Sequence, residues 1–325
     1  NIRSGNTQRF RQRDFMKSSP KVVAFGGGHG LAATLSALRK VTNQITAVVT
    51  VADNGGSSGR LRQEFNCLPP GDLRMALAAL CSDDSWGRNW AEILQYRFTS
   101  SGDMNNHALG NLLLTALWDR DGDQVAGIDR VGDLLKIVGR VLPMALEPLD
   151  IEAEFDVEGA KQTVRGQVQV ATTKGEVKSL RLIPESPICT PEVFEALDEA
   201  DWITFGPGSW FSSVMPHFLL RQQGEAIIKS KAKKIMIFNL EEPSDAGEFA
   251  GNSALEHLDL ALSHLPNLRI DRAIADNSLA NKGGALEKRI VELGGELILA
   301  ELASENGQNH HDTGKLASTF AHIFS

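Results

Sequence analysis

One polar loop holds the residue types best suited to chemistry in this sequence. It runs from Asp53 to Arg60 and combines a carboxylate, an amide, two hydroxyls and a guanidinium. Such groups hold metal–phosphate complexes and sugar hydroxyls, although the same composition is typical of a plain Asn-Gly-Gly turn. We favour a ligand-binding loop, because it follows a strand predicted at residues 45–51 and such loops commonly carry the site. The loop residues assigned to ligand binding are Asn54, Gly55, Gly56, Ser57, Ser58 and Arg60.

A glycine-rich loop lies earlier in the chain. Four glycines occupy the five positions 26–30, after an apolar run at 21–25 and before a helix predicted at 31–40. Glycine lets the backbone approach a ligand closely, and free N–H groups at a helix start point at an anion. The loop therefore predicts a phosphate site. Its ligand-binding residues are Gly26, Gly27, Gly28, His29 and Gly30.

A third small-residue loop, at residues 206–213, follows a strand predicted at 202–205 and precedes a helix predicted at 214–229. Gly206, Gly208 and Ser209 would offer N–H groups and a hydroxyl to a phosphate. In a parallel sheet, loops that follow strands lie at the carboxyl edge, where ligands bind. We therefore expect all three loops to converge on one site.

Four residues outside these loops are also candidates for ligand contact. Asp72 is predicted to be the N-cap of a helix at residues 73–82. Arg74 opposes the dipole of that helix, which marks it as a candidate ligand contact. His107 and Asn111 form a polar cluster at the start of an apolar helix, where His107 is either a hydrogen-bonded cap or a functional residue.

The motifs disfavour two classes of protein and leave a third open. The first loop lacks the G-x-G-x-x-G register, because Leu31 occupies the position of the third glycine. Asp53 nevertheless follows the second strand, where a ribose-binding acid would stand, so a dinucleotide remains an alternative. No glycine loop ends in Gly-Lys-Ser/Thr and no G-x-S-x-G elbow occurs, which disfavours P-loop ATPases and α/β-hydrolases.

The composition is that of a globular protein of 325 residues, with 42% apolar and 23% charged residues. The net charge of −8 argues against general nucleic-acid binding. No apolar run approaches the roughly 18 residues that span a bilayer, so we expect no membrane role. Three widely spaced cysteines suit a reducing cytoplasm. Residues 1–20 are interpreted as a disordered tail or a vector-derived leader, with Met16 as the native start.

Alternating strand and helix patterns predict an α/β fold with a Rossmann-like, mostly parallel sheet and helices on both faces. Within residues 141–185 the pattern changes to apolar–polar alternation, which predicts a small antiparallel β insertion. Its strands are predicted at 149–155, 163–170 and 177–182, arranged as a meander. Residues 21–325 are therefore expected to form a single domain.

Several of these segments resemble the YvcK-like gluconeogenesis-factor family. The similar segments are 23–31 (VAFGGGHGL), 51–62 (VADNGGSSGRLR), 70–74 (PGDLR), 107–112 (HALGNL), 206–209 (GPGS) and 311–312 (HD). The resemblance runs from about residue 20 to the C-terminus. It implies a core shared with 2-phospho-L-lactate transferase (CofD), in which Mg²⁺ and a nucleotide-linked donor lie at this edge of the sheet.

The resemblance also implies roles for individual residues. The loops at 26–30 and 206–209 would hold the nucleotide phosphates, and Asn239 would lie near the base or the ribose. Asp53 would stand where the transferase keeps acidic residues, which makes it the candidate catalytic and Mg²⁺-binding residue. The sequence departs from the transferases here, because Asn54 stands where they carry a second acid, and one carboxylate binds Mg²⁺ more weakly than two.

We therefore expect a cytoplasmic factor that binds a nucleotide sugar, such as UDP-N-acetylglucosamine. The resemblance implies that it supports gluconeogenic growth, cell shape and the supply of peptidoglycan precursors. A regulatory protein partner and a homodimer are expected with it. The alternatives are an Mg²⁺-dependent phospholactate-type transferase and an NAD-dependent oxidoreductase. His29 stands where many members of the family carry threonine, which would alter the contacts of the first loop. Residues 244–249 also depart from the family pattern, which leaves base recognition open.

Overall fold

Strands alternate with helices along most of the chain. The computed structural model describes residues 19–240, 254–279, 284–305 and 310–325, so residues 244–249 and most of the predicted tail lie outside the described residues. The strands are β1 (Val22–Gly26), β2 (Ile45–Val49), β3 (Arg140–Pro143), β4 (Asp150–Val157), β5 (Ala160–Arg165), β6 (Glu176–Ile183), β7 (Trp202–Phe205), β8 (Lys233–Ile237), β9 (Arg272–Asp276) and β10 (Glu296–Ala300). The α-helices are α1 (Gly28–Leu38), α2 (Gly56–Phe65), α3 (Pro70–Leu80), α4 (Ser85–Gln95), α5 (Leu109–Asp121), α6 (Gln124–Leu135), α7 (Gln167–Thr172), α8 (Pro191–Glu199), α9 (Met215–Leu219), α10 (Arg221–Lys229), α11 (Ala254–His264), α12 (Gly284–Glu292) and α13 (Thr313–Phe324).

A parallel sheet of seven strands forms the centre of the described part of the chain. Its order is β10–β9–β8–β7–β1–β2–β3, and β1 is buried along its full length. Full burial of a parallel strand follows from cover on both faces. From β1, the chain builds outward to β2 and β3 on one side, and from β7 to β10 on the other. The crevice between β1 and β7 is therefore the switch point where such sheets bind ligands, and the predicted fold class is confirmed.

The small antiparallel sheet is also present, with the strand order β5–β4–β6. The predicted meander is wrong, because β4 lies in the middle and pairs with both other strands. The strand predicted at 163–170 ends at Arg165, since Gly166 has a φ of 103° and the chain turns there into α7. Residues 141–143, predicted as part of the insertion, instead belong to β3, which pairs with β2 in the large sheet.

Two helix boundaries differ from the prediction in ways that affect the site. α3 begins at Pro70 with Pro69 as its N-cap, so the prediction that Asp72 caps this helix is wrong, and Asp72 lies inside its first turn. The continuous helix predicted at 214–229 is wrong too, because a π-helix at Trp210–Val214 is followed by the separate helices α9 and α10. Among the described helices, none is long and apolar enough to cross a bilayer.

Aromatic rings fix the ends of the two strands that flank the crevice. Phe25 of β1 stacks on Phe205 of β7 with ring centroids 5.5 Å apart, and Phe205 contacts Phe218 of α9 at 4.9 Å. Buried ring pairs of this kind add to the stability of the core. They hold the loops after β1 and β7 at a constant separation.

Candidate functional site

The first and third loops touch directly, backbone against backbone. A Cβ atom at Gly30 would lie 2.1 Å from the carbonyl oxygen of Pro207, so only glycine allows this approach. The hydroxyl of Thr34 donates to the carbonyl oxygen of Gly206 at 3.0 Å. The structure thus brings the two predicted phosphate loops together as one wall of the crevice.

A buried histidine holds the first loop through a backbone carbonyl. Nε2 of His217 donates to the carbonyl oxygen of Gly26 at 3.1 Å, while Nδ1 accepts from the amide of Gln223 at 3.1 Å. Burial lowers the pKa of His217 to about 4, so the ring is neutral at neutral pH. Nothing local in the sequence distinguishes His217 from an apolar position of a buried helix, so its role was not predicted.

The carboxylate of Asp72 already lies at the first glycine loop. It accepts a hydrogen bond from the backbone N–H of Gly28, and a Cβ atom at Gly27 would lie 2.5 Å from its Oδ2. Burial, and next the charge of Asp53, raise the pKa of Asp72 to about 7. A carboxyl group thus occupies part of the helix N-terminus that the sequence assigns to phosphate.

Asp53 and Asp72 form a pair of carboxylates although 18 residues separate them in the chain. Oδ1 of Asp53 accepts from the N–H of Gly55 at 2.9 Å, and its carboxylate also accepts from the hydroxyl of Ser58. Burial raises the pKa of Asp53. Oxygen donors of this kind suit Mg²⁺, whose charge would remove the repulsion between the two groups.

The second acid that Asn54 fails to supply is therefore provided by α3, and the residues present fit a divalent cation. Within the described ranges no cluster of three or more histidine, cysteine, aspartate or glutamate ligands occurs. A cation held by Asp53 and Asp72 would therefore complete its coordination with water or with ligand oxygens, as Mg²⁺ commonly does.

Positive charge gathers next to this pair. Arg74 is 3% exposed and donates through Nη1 to Oε1 of Gln95, while its buried Nε has no partner in the described part of the chain. Burial, and next the charge of Arg97, lower the pKa of Arg74 to about 10. Burial, the nearby His310 and the same two arginines lower the pKa of His29. Arg97, which the sequence analysis missed, thus belongs to a cationic group at the mouth of the first loop.

His107, Ser57 and Asn111 form a compact buried cluster. Nδ1 of His107 lies 2.9 Å from Oγ of Ser57, and Nδ2 of Asn111 donates to the same Oγ at 3.0 Å. Burial, and next the charges of Arg60 and Arg97, lower the pKa of His107. α5 begins at Leu109, so His107 lies ahead of the helix rather than in it. The polar cluster predicted at this helix start therefore extends into the second loop.

Some predicted ligand contacts are occupied by the protein itself. The guanidinium of Arg60 donates to the carbonyl oxygens of Asp103 and Asn105 at 2.7 and 2.8 Å. It therefore holds the loop ahead of His107 instead of pointing freely into the crevice. The side chain of Asn54 bonds to α7, accepting from the N–H of Val168 at 3.3 Å.

Asn239 has a positioning role that the sequence did not indicate. Its Nδ2 donates to the carbonyl oxygen of Gly208 at 2.9 Å, and its Oδ1 accepts from the N–H of the same residue at 2.8 Å. Both ends of the amide thus support the third loop. Oγ of Ser209 likewise accepts from the hydroxyl of Ser212 at 2.6 Å. The third loop is held from within by side chains that were predicted to face a ligand.

A family model described as 2-phospho-L-lactate transferase CofD matches residues 22–303, which include all three loops, both carboxylates and the His107 cluster. The chain belongs to the CofD family. Curated relatives named gluconeogenesis factor confirm the YvcK-like branch. The Bacillus subtilis protein is 34% identical over 317 residues, covering 93% of this chain and 98% of that one. The Listeria innocua protein is 34% identical over 312 residues, covering 93% and 94%.

Two further proteins match over most of the chain. A Mycobacterium tuberculosis relative is 44% identical over 306 residues, which are 91% of this chain and 88% of that one. The crystal structure of a UPF0052 family protein from Bacillus halodurans has a TM-score of 0.79 and 31% identity, covering 92% of this chain and 98% of that one. The fold described above is therefore that of the family.

Proposed function

We propose that this chain is a cytoplasmic factor that binds a nucleotide sugar, with UDP-N-acetylglucosamine as its model ligand. The observation that carries the proposal is the direct contact of Gly30 with Pro207, which joins two glycine-rich loops into one wall beside the buried cation Arg74. Two adjacent phosphate-binding loops suit a diphosphate better than a single phosphate. The gluconeogenesis-factor name of the relatives supports a role in gluconeogenic growth.

The chemistry of the crevice explains how an acidic protein would hold an anion. Arg74 and Arg97 supply positive charge, and loop N–H groups supply donors. Asp53 and Asp72 would hold Mg²⁺, which neutralises the phosphate oxygens when it is bound. In this proposal ligand binding changes a surface that a protein partner recognises, in a homodimer, and so adjusts cell shape and peptidoglycan supply.

A thermal-shift screen with UDP-N-acetylglucosamine, GDP and NAD in the presence of Mg²⁺ tests the proposal. A ligand at about 100 times its dissociation constant adds roughly 2.7 kcal/mol to the free energy of unfolding. Gly28→Asp should abolish this gain, because a carboxylate would face the phosphate. Gly28→Asn is the matched control, since it has the same size, tolerates the φ of 56° at this position and carries no charge. No stabilisation by UDP-N-acetylglucosamine would count against the proposal.

The second candidate function is that of a phospholactate-type transferase. The pairing of Asp72 with Asp53 favours it, because two carboxylates can hold the Mg²⁺ that phosphoryl transfer requires. Incubation with a nucleotide-linked phospholactate, a deazaflavin acceptor and Mg²⁺ tests this function. Absence of the transferred product would reject the transferase function and leave ligand binding as the proposed function.

A further inference from the structure

Among the hydrogen bonds around Ser57, the one to His107 can be donated by the serine hydroxyl. The amide of Asn111 can only donate through Nδ2, so it uses a lone pair of the serine Oγ. The hydroxyl hydrogen is then free to point at Nδ1 of His107, 2.9 Å away. When the neutral imidazole carries its proton on Nε2, Nδ1 accepts that hydrogen, which is the arrangement of a serine and its general base.

Backbone N–H groups at the start of α2 lie next to Ser57 in the chain. Ser57 is the second residue of α2, and the N–H groups of Gly56, Ser57 and Ser58 make no hydrogen bond to the described part of the chain. A Cβ atom at Gly56 would meet nothing within 4 Å, so the helix start opens to solvent there. Free N–H groups at a helix start stabilise negative charge that develops beside them.

An unpartnered buried side chain at the cluster also points to a ligand. Asn111 is 1% exposed, yet its Oδ1 has no hydrogen-bond partner in the described part of the chain. A buried acceptor of this kind costs free energy unless a donor reaches it. A hydroxyl or amide of a bound sugar would supply that donor.

We propose that Ser57 is a nucleophile, with His107 as its general base, and that it attacks the distal phosphorus of a nucleotide-linked ligand. The Oγ–phosphorus bond forms and the bridging phosphorus–oxygen bond breaks. The nucleoside monophosphate leaves with the bonding electron pair, and the serine proton passes to Nδ1 of His107. The phosphosugar stays on the protein as a phosphodiester of Ser57. This inference rests on the proposed function for the identity of its substrate.

The surroundings favour phosphoryl over acyl chemistry. The hydroxyl of Ser58, the next residue, donates to Asp53 of the carboxylate pair. Arg60 and Arg97 lie close enough to His107 to act on its charge. The cation-binding pair, and the charge of Arg97 close to His107, would stabilise the charge of a transferring phosphoryl group. Covalent loading also suits a factor that retains its ligand instead of turning it over rapidly.

Labelling with a biotinylated fluorophosphonate tests the nucleophile without relying on the identity of the ligand. Ser57 should be labelled with loss of fluoride, and Ser57→Ala should abolish the label. His107→Asn should slow labelling on the order of 10²-fold, because asparagine keeps a hydrogen bond but takes no proton. Labelling should also fall as the pH drops through the lowered pKa of His107. Ser263→Ala, on the exposed face of α11, is the control and should label as the unaltered protein does.

A structural serine would give a different result. If Ser57 only ties α2 to α5, the fluorophosphonate leaves it unlabelled, or labels it at a rate that His107→Asn and pH do not change. Either result would overturn the proposal. Thermal melting of each variant shows that the lost label is not lost folding.

UDP-N-acetylglucosamine with Mg²⁺ tests the substrate. UMP release and a phosphosugar on the Ser57 peptide, both absent in Ser57→Ala, are expected by mass spectrometry. Thermal stabilisation without UMP or adduct would overturn the covalent step and leave the proposed binding intact. Fluorophosphonate labelling of Ser57 without thermal stabilisation would support the nucleophile and refute the proposed ligand.

Discussion

Asp72→Asn should remove the loss of folding stability that the titration of Asp72 causes as the pH rises. The carboxyl has an ordinary pKa of 3.8, and burial with the charge of Asp53 raises the pKa to about 7 in the folded protein. Between these two pH values the folded state binds the extra proton, so stability falls as the pH rises. Asparagine keeps the acceptor for the N–H of Gly28 and carries no charge.

The magnitude follows from the size of the shift. Each pH unit within the window changes the free energy of unfolding by about 1.4 kcal/mol per proton. In the folded protein the carboxyl of Asp72 loses its proton near pH 7, so its pH dependence ends there. Between pH 5 and pH 8 the free energy of unfolding therefore falls by roughly 2–3 kcal/mol. Asp72→Asn should therefore gain this amount relative to the unaltered protein over that interval.

Urea denaturation of both proteins at pH 5 and pH 8 measures the difference directly, and titrating groups that do not interact with Asp72 cancel in the comparison. Saturating Mg²⁺ at pH 8 should narrow the gap, because a bound cation favours the charged carboxylates of Asp53 and Asp72. Equal pH dependence in the two proteins would refute the reasoning that charge burial, and not hydrogen bonding, dominates at Asp72.

Three further substitutions test the framework of the crevice. Gly30→Ala should cost about 3 kcal/mol in urea denaturation, because its Cβ meets the proline carbonyl of the third loop, whereas Gly102→Ala, which has open space, should be neutral; equal effects would contradict the close contact. His217→Ala should cost roughly 2–4 kcal/mol at pH 7, because it leaves a cavity and removes the hydrogen bond to Gly26. The cost should be smaller at pH 4, because the unfolded histidine binds a proton below its ordinary pKa of 6.5 while the folded one resists it down to about 4; pH-dependent melting measures this. Arg74→Met should weaken UDP-N-acetylglucosamine binding about tenfold or more in calorimetry, and unchanged affinity would exclude Arg74 from the site. The variant should also melt at a lower temperature, because Gln95 loses its buried donor and Asp72 loses a nearby cation.

The sequence predicted the loops well because they follow local rules. A buried strand, a run of glycines and a helix start each leave a pattern within a dozen residues, as at 26–30 and 206–209. The helix boundary at Pro70 was missed, although proline is common in the first turn of a helix. Asp72 could have been assigned to that turn on the same ground.

Contacts between distant segments could not be predicted in this way. The bond from His217 to the carbonyl oxygen of Gly26 spans 191 residues and depends on how α9 packs under β1. Arg97 belongs to the cationic group only because a bridge between Arg97 and Ala108 folds its loop towards the crevice. Neither side chain differs in sequence from an ordinary core histidine or surface arginine.

The close contact between the first and third loops also decides which part of the site can respond to a ligand. No side chain lies between Gly30 and Pro207, so neither loop can shift without the other, and Asn239 and His217 anchor the pair to the sheet. The opposite wall is held by longer hydrogen bonds, because the side chain of Asn54 bonds to α7 at 3.3 Å. A bound ligand would therefore contact a firmly held wall on one side and a less firmly held wall on the other. Any movement caused by binding would occur in the second wall and pass to the small sheet.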